Sequence, residues 1–282
     1  MPADPIDGET VQSALSAVGA SSPLVHHLTN AVTMSETANV TLHWGGLPVM
    51  ADAPAEAGDM AADADAVVIN TGTASTTDVE AMIDAGARAN EAGVPVVLDP
   101  VGYGATPHRV DSVGRILDAV AVDAIKGNVG EIRGLAGEEA TVRGVESVAD
   151  GDVDVADAAR ALAEETAATV VVSGVADVVA DAAAAYELAV GHGRMGSFVG
   201  SGCMLASTVG TFAATTGTPD APIETVTDAA LAATAAYGLA GERAAAADPD
   251  GPASYRTAFM DAVASLAAEG PDADIAPRIT PI

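Results

Sequence analysis

Val94-Pro95-Val96-Val97-Leu98-Asp99-Pro100-Val101-Gly102 is a short apolar run that closes on a carboxylate and is then stopped by a proline. The run Val94 to Leu98 reads as a strand buried on both faces, and Pro100, which has no N–H to give, ends its ladder. Three more runs repeat this pattern: Val67-Val68-Ile69 before Asn70, Val122 to Ile125 before Lys126-Gly127-Asn128, and Val170-Val171-Val172 before Ser173-Gly174. Between them, Thr77 to Glu91 and Val155 to Thr166 carry helical spacing with acidic residues near their starts, as the helix dipole favours. Strand and helix alternate, so the expectation is an α/β fold with parallel strands. No Pro/Gly/Ser-rich linker and no internal repeat divides the sequence, and residues 1–282 are expected to form one domain. Asp150 to Asp154 is expected to be an acidic surface loop.

Composition narrows the function classes. The chain has 40 acidic side chains against 11 basic ones, and a formal charge of -29. Such a surface repels nucleic acid and anionic membranes alike, so neither is an expected partner. The acidic residues are dispersed among Ala and Val rather than gathered in a tail, which fits a globular protein of a salt-rich cytosol. At roughly 1 M salt the Debye length is only about 3 Å, enough to screen this self-repulsion. One cysteine cannot form an internal disulfide. Met1-Pro2-Ala3-Asp4 lacks the basic and apolar segments of a secretory signal, so a cytoplasmic location is expected. The Ala-rich stretch Ala229 to Gly241 is shorter than a membrane span and reads as a buried helix.

In open α/β sheets, ligands bind outside the carboxyl ends of the strands, which singles out Asn70, Asp99, Lys126 and Ser173-Gly174. Asp99 would suit Mg²⁺, an ion that takes oxygen ligands and keeps much of its water. It would equally suit a turn or helix cap. Lys126 is the only lysine in the chain. In so acidic a protein a lone ammonium in a glycine-bearing segment points to bound phosphate, with a solvated loop lysine as the alternative. Glu131, five residues on, could bind a metal through water.

Val199-Gly200-Ser201-Gly202-Cys203 runs into Met204-Leu205-Ala206-Ser207, a stretch that suits a helix. Its glycines would form the first turn, where free amide hydrogens bind anions and a bare backbone lets phosphate approach. Cys203 in that turn is expected to have a lowered thiol pKa and to accept a substrate hydroxyl proton, or else to be a buried structural cysteine. The five histidines lack paired zinc spacing. His26 and His27 are either ligand contacts or satisfied buried rings. Met50 is either core filler or a soft contact for a heteroaromatic ring.

Taken in order, Val25-His26-His27-Leu28-Thr29-Asn30, Pro48-Val49-Met50-Ala51, Asp99-Pro100-Val101-Gly102, Lys126-Gly127-Asn128 with Glu131, Ser173-Gly174 and Gly200-Ser201-Gly202-Cys203 resemble the hydroxyethylthiazole kinases of the thiamine pathway. The resemblance runs from about Val25 to Gly241. It implies a ribokinase-like three-layer sandwich, with a mostly parallel central sheet and helices on both faces. It also implies a homotrimer with active sites between subunits, and ATP- and Mg²⁺-dependent phosphorylation of 4-methyl-5-(2-hydroxyethyl)thiazole. By position, Met50, Gly200 and Asn30 would contact the thiazole substrate, Lys126 and Ser173 would contact ATP, Asp99 and Glu131 would hold the metal, and Cys203 would be catalytic. The chain departs from the family where Lys126 replaces an arginine, Ser173 a threonine, His27 a cysteine, and Ser201 a Thr or Ala. Two alternatives stand beside this reading. One is a nucleotide-dependent dehydratase of hydrated nicotinamide cofactors, which would carry aspartate in place of Cys203; the other is a non-catalytic nucleotide- or thiazole-binding protein.

Overall fold

The computed structural model describes residues 6–137, 142–143, 146–147, 155–217, 221, 223–271 and 275–282. Asp150 to Asp154 lie outside the described residues. Nine strands form one sheet: β1 Leu24–Leu28, β2 Leu47–Val49, β3 Ala66–Asn70, β4 Val96–Asp99, β5 Ala124–Asn128, β8 Thr169–Ser173, β9 Asp177–Ala180, β10 Ala185–Leu188 and β11 Ile279–Pro281. A separate two-stranded ladder pairs β6 (Val142–Arg143) with β7 (Glu146–Ser147). The order across the large sheet is β11-β10-β9-β8-β5-β4-β3-β1-β2. The six strands from β8 to β2 are parallel, and β9, β10 and β11 extend one edge in antiparallel fashion.

The alternation of side chains along a strand sorts this sequence onto two faces. Val68, Val97, Ala124 and Val171 belong to one core cluster, with residues of α1 (Gly8–Ser21), α2 (Met34–Trp44), α8 (Ser201–Ala213), α9 (Val226–Ala246) and α10 (Pro252–Glu269). Their neighbours Val67, Ile69, Val96, Leu98, Ile125, Val170 and Val172 belong to the other cluster, with α3 (Ala57–Asp63), α4 (Thr76–Ala92), α5 (Pro107–Ala119), α6 (Val129–Leu135) and α7 (Val155–Thr166). Three layers result because each strand is apolar on both faces.

The four expected strands and the helix over 155–166 are present, and the helix expected at 77–91 spans 76–92. Ala229 to Gly241 is the buried middle of α9, and among the described residues no helix is long and apolar enough to cross a membrane. One expectation is corrected. Lys126, expected just beyond the end of its strand, is instead the third residue of β5, hydrogen-bonded in register with Val171 of β8 and only 4% exposed. The strand carries its ladder past the apolar run because β8 continues beside it, and backbone pairing is indifferent to the side chain.

Candidate functional site

Parity along the strands assembles the site. Asn70 follows Ile69, Asp99 follows Leu98, Lys126 follows Ile125 and Ser173 follows Val172, and all four preceding residues pack on the α3–α7 face. The polar residues therefore point the other way, toward α8. Asn70 and Asp99 are paired neighbours in the sheet, as are Asn128 and Ser173.

The first turn of α8 meets them. Gly200 caps that helix at φ 97°, a left-handed conformation that glycine adopts without steric cost. A β-carbon on Gly202 would stand 2.8 Å from Lys126 Nζ, so the ammonium lies close against the first turn of α8. Lys126 Nζ is 3.8 Å from Asp99 Oδ1, an oxygen that is buried without a hydrogen-bond partner. Asn70 Nδ2 donates to Asp99 Oδ2 at 2.6 Å. Asn30, two residues beyond β1, donates from Nδ2 to Asn70 Oδ1 at 2.9 Å and toward Cys203 Sγ at 3.6 Å. Asn30, Asp99, Lys126, Gly200 and Cys203 thus come together around one helix end, with Gly200 packed against Thr33, which Asn30 also holds.

Glu131 sits behind this cluster. Its Oε1 accepts from Gly102 N at 2.6 Å and its Oε2 from Asn128 N at 2.8 Å, the second bond being half of a capping box that starts α6. It fastens the turn after β4 to the end of β5. Ser173 Oγ donates to Gly127 O at 3.4 Å, beside Lys126. Met50 lies beside the strand that leads to Asn30, on the side away from Asp99 and Lys126. It follows β2, the edge strand, three strands from β4 and so roughly 14 Å away at the usual strand spacing. His26 and His27 are both buried, and His27 is held between Val25 O and the Thr41 hydroxyl.

Burial dominates the electrostatics. It pushes Asp99 up to about 7, against the pull of Lys126. For Lys126, burial works against the charge, but the carboxylates of Asp99 and Glu131 outweigh it and the pKa ends above its ordinary value. The thiol of Cys203 was expected to be shifted toward thiolate by its helix end. Instead, burial and the adjacent Asp99 raise its pKa, so the sulfur is protonated at neutral pH. Three contributors were not singled out as site residues from sequence. Asp177 opens β9, accepts from Gly174 N at 2.9 Å, interacts with Lys126 and is pushed by burial to about 6. The hydroxyl of Tyr237 on α9 donates to Ser201 O at 2.7 Å and holds the first residue of α8. Arg109 clamps two loops, donating to Gly72 O at 2.6 Å and to Val101 O. A run of ordinary helix or strand residues gave no signal for them; only the end-of-strand position of Asn70 was legible.

Two positive features, an ammonium and a helix N-terminus, face the same space. Together they favour negative charge in that space, part of which Asp99 supplies. A cavity of about 240 Å³ lined by Thr71, Gly72, Thr73, His108 and Arg109 opens beyond the loop after β3.

Known proteins share this arrangement of sequence and fold. The sequence pattern of the "Hydroxyethylthiazole kinase family" matches residues 15–269. A hydroxyethylthiazole kinase of Natronomonas pharaonis is 50% identical over 92% of this chain and 92% of its own length. One from Desulforudis audaxviator is 48% identical over 91% of each. The solved structure of hydroxyethylthiazole kinase from Pyrococcus horikoshii OT3 superposes with a TM-score of 0.82 at 34% identity, covering 97% of this chain and 99% of that one. A Bacillus subtilis pyridoxal kinase solved with ADP, at 16% identity and a TM-score of 0.55 over 78% of this chain and 91% of its own, shares the fold. That fold is the ribokinase-like α/β sandwich, and with a family pattern spanning nearly all of its sheet and helices, this chain belongs to the hydroxyethylthiazole kinase family.

Proposed function

We propose that the chain transfers the γ-phosphoryl group of ATP to the hydroxyl of 4-methyl-5-(2-hydroxyethyl)thiazole, at the point where β4, β5 and the first turn of α8 meet. The observation that carries this reading is Lys126 Nζ lying against Gly202 with Asp99 Oδ1 unpartnered beside it. Phosphoryl transfer asks mainly for positioning and charge neutralisation, and an ammonium beside free helix amides supplies both. Lys126 and Ser173 contact ATP, and the amides from Gly200 to Cys203 take the charge of the moving phosphoryl group. Lysine in place of a family arginine keeps the charge and gives up the bidentate fork.

The residues also fit Mg²⁺. Asp99 Oδ1 is a buried oxygen without a hydrogen-bond partner, beside the place proposed for phosphate. Mg²⁺ binds in that way, through one or two carboxylates together with water and phosphate. Asp99 would hold it, with Glu131 reaching it through water because both Glu131 oxygens already accept backbone N–H bonds. Bound there, the ion would neutralise phosphate charge.

Cys203 is the acceptor for the hydroxyl proton. Because the thiol is protonated at neutral pH, it takes the hydroxyl proton as the thiolate, after losing its own proton to water, and does so late in the transfer. Cys203→Ala is expected to lower kcat about 10- to 100-fold with thiazole KM nearly unchanged. Unchanged turnover in steady-state assays would remove the thiol from the reaction.

Met50 and Gly200 line the thiazole pocket with Asn30. Because Met50 lies at the sheet edge, it serves a site completed by a neighbouring subunit, in keeping with a homotrimer. We take residues 1–282 as one domain of a cytoplasmic, salt-adapted enzyme. The salt reading rests on the charge of -29. Thermal melting in about 0.1 M against 2 M KCl should show a loss on the order of 10 °C at low salt, where the Debye length grows to about 10 Å. Equal melting temperatures would refute it. The activity itself is tested by following label from γ-labelled ATP in high KCl. Labelled thiazole phosphate is the expected product, and failure to form it would overturn the assignment.

A further inference from the structure

The amides of Asn70 and Asn30 both have a fixed polarity. Asn70 Oδ1 accepts the backbone N–H of Gly72 at 3.0 Å, a donor that cannot be reversed, so Nδ2 must face Asp99 Oδ2. Asn30 Oδ1 likewise accepts Val32 N at 3.0 Å and Thr33 N at 3.1 Å, which turns its Nδ2 toward Asn70 Oδ1 and Thr33 Oγ1, both at 2.9 Å, with Cys203 Sγ as a longer contact at 3.6 Å that shares one of the two N–H groups. The result is a directed chain from the carboxylate to the thiol: Asp99 Oδ2, Asn70, Asn30, Cys203 Sγ. Both ends face N–H donors and therefore act as acceptors. Asp99 is left with Oδ1 as its single uncommitted oxygen, and that atom is the one aimed at Lys126. Asn70 is 1% exposed and Asn30 5%, so water cannot substitute for either amide.

We propose that Asn70 is a positioning residue for phosphoryl transfer, pinning Asp99 through Oδ2 and orienting the Asn30 amide that donates to Cys203. This inference rests on the kinase reading of the site. Asparagine is the residue type that can do it, since the position needs an acceptor for two N–H groups and a donor on the same short side chain.

Two variants test it. Asn70→Asp keeps the acceptor for Gly72 and Asn30 but turns an oxygen on Asp99; Asn70→Leu removes both functions without adding a buried charge. Each is expected to lower kcat about 10- to 100-fold with thiazole KM within about threefold of wild type, as for loss of a hydrogen bond to a charged group. Because Cys203 is the only cysteine, its alkylation by iodoacetamide without substrates gives a readout independent of turnover. The Asn70→Leu thiol should react about three- to tenfold more slowly, since one of the bonds that aim the Asn30 amide toward it is lost. The proposal is overturned if kcat in both variants stays within about twofold of wild type. It is also overturned if neither variant folds by circular dichroism, which would assign Asn70 to the fold alone. If the wild-type chain transfers no phosphoryl group while alkylation still responds to Asn70→Leu, the kinase reading fails and the connection to Cys203 stands.

Discussion

Lys126→Met is expected to reduce kcat/KM for ATP by about 10²- to 10³-fold, because it takes the only ammonium in the chain away from the phosphates. It should also destabilise the fold. Asp99 is 1% exposed and Lys126 is its ion-pair partner, and leaving one charge of a buried pair unmatched costs about 3–5 kcal/mol. The cost has a pH signature. Removing Lys126 pushes the Asp99 pKa still further above its unfolded value, so the folded variant holds a proton that the unfolded chain has lost. Stability of the variant must then fall as pH rises from about 4 through that raised value. Melting curves at pH 5.5 and 8.5 should show the larger deficit against wild type at pH 8.5. An unaltered kcat/KM for ATP would reassign this lysine to structure, and a deficit equal at both pH values would show that it does not hold the Asp99 charge.

Acid should act on the fold through His27. Its ring is fully buried on β1, where Nδ1 lies 3.1 Å from Val25 O and must donate, leaving Nε2 to accept from Thr41 Oγ1 at 3.3 Å. Burial brings its pKa down to about 4. An unfolded histidine titrates near 6.5, so below that pH the unfolded state binds a proton that the folded state refuses. Stability is complete above about pH 6.5 and is lost as pH falls through the folded value, by about 3 kcal/mol in all. Asp99 and Asp177, whose pKa values burial raises, work in the opposite direction over part of this range. They are common to wild type and His27→Gln, so they cancel in the comparison. Chemical denaturation at pH 7 and pH 4 should show wild type losing about 3 kcal/mol more than His27→Gln. Parallel losses would show that the histidine does not control acid sensitivity.

The legible parts of this protein were those written in local pattern. Apolar runs announced β3, β4, β5 and β8 because strands buried on both faces need little else, and the acidic starts of α4 and α7 marked helices. The strands β1 and β2 were harder to read. His26 and His27 interrupt the apolar character of β1, and β2 has only three residues with a proline among them. The antiparallel edge from β9 to β11 was missed because β11 lies 91 residues beyond β10 in the chain and pairs through backbone alone. Among the site residues, Asp99, Lys126 and Cys203 stood out by rarity or by strand-end position. Asp177 and Tyr237 did not, since their contacts with Lys126 and Ser201 join distant segments.

By itself the sequence determined the layered α/β architecture, the strand-end position of the polar residues and the anionic surface, since periodicity, chain-stopping residues and net charge are local or additive properties. Tertiary structure decided the charge states and the partners. It buried Lys126 inside β5, raised rather than lowered the Cys203 pKa, and left one Asp99 oxygen free by tying up the other. Those outcomes depend on desolvation and on distances of a few ångströms between residues far apart in the chain, and such distances exist only once the sheet and α8 have packed together.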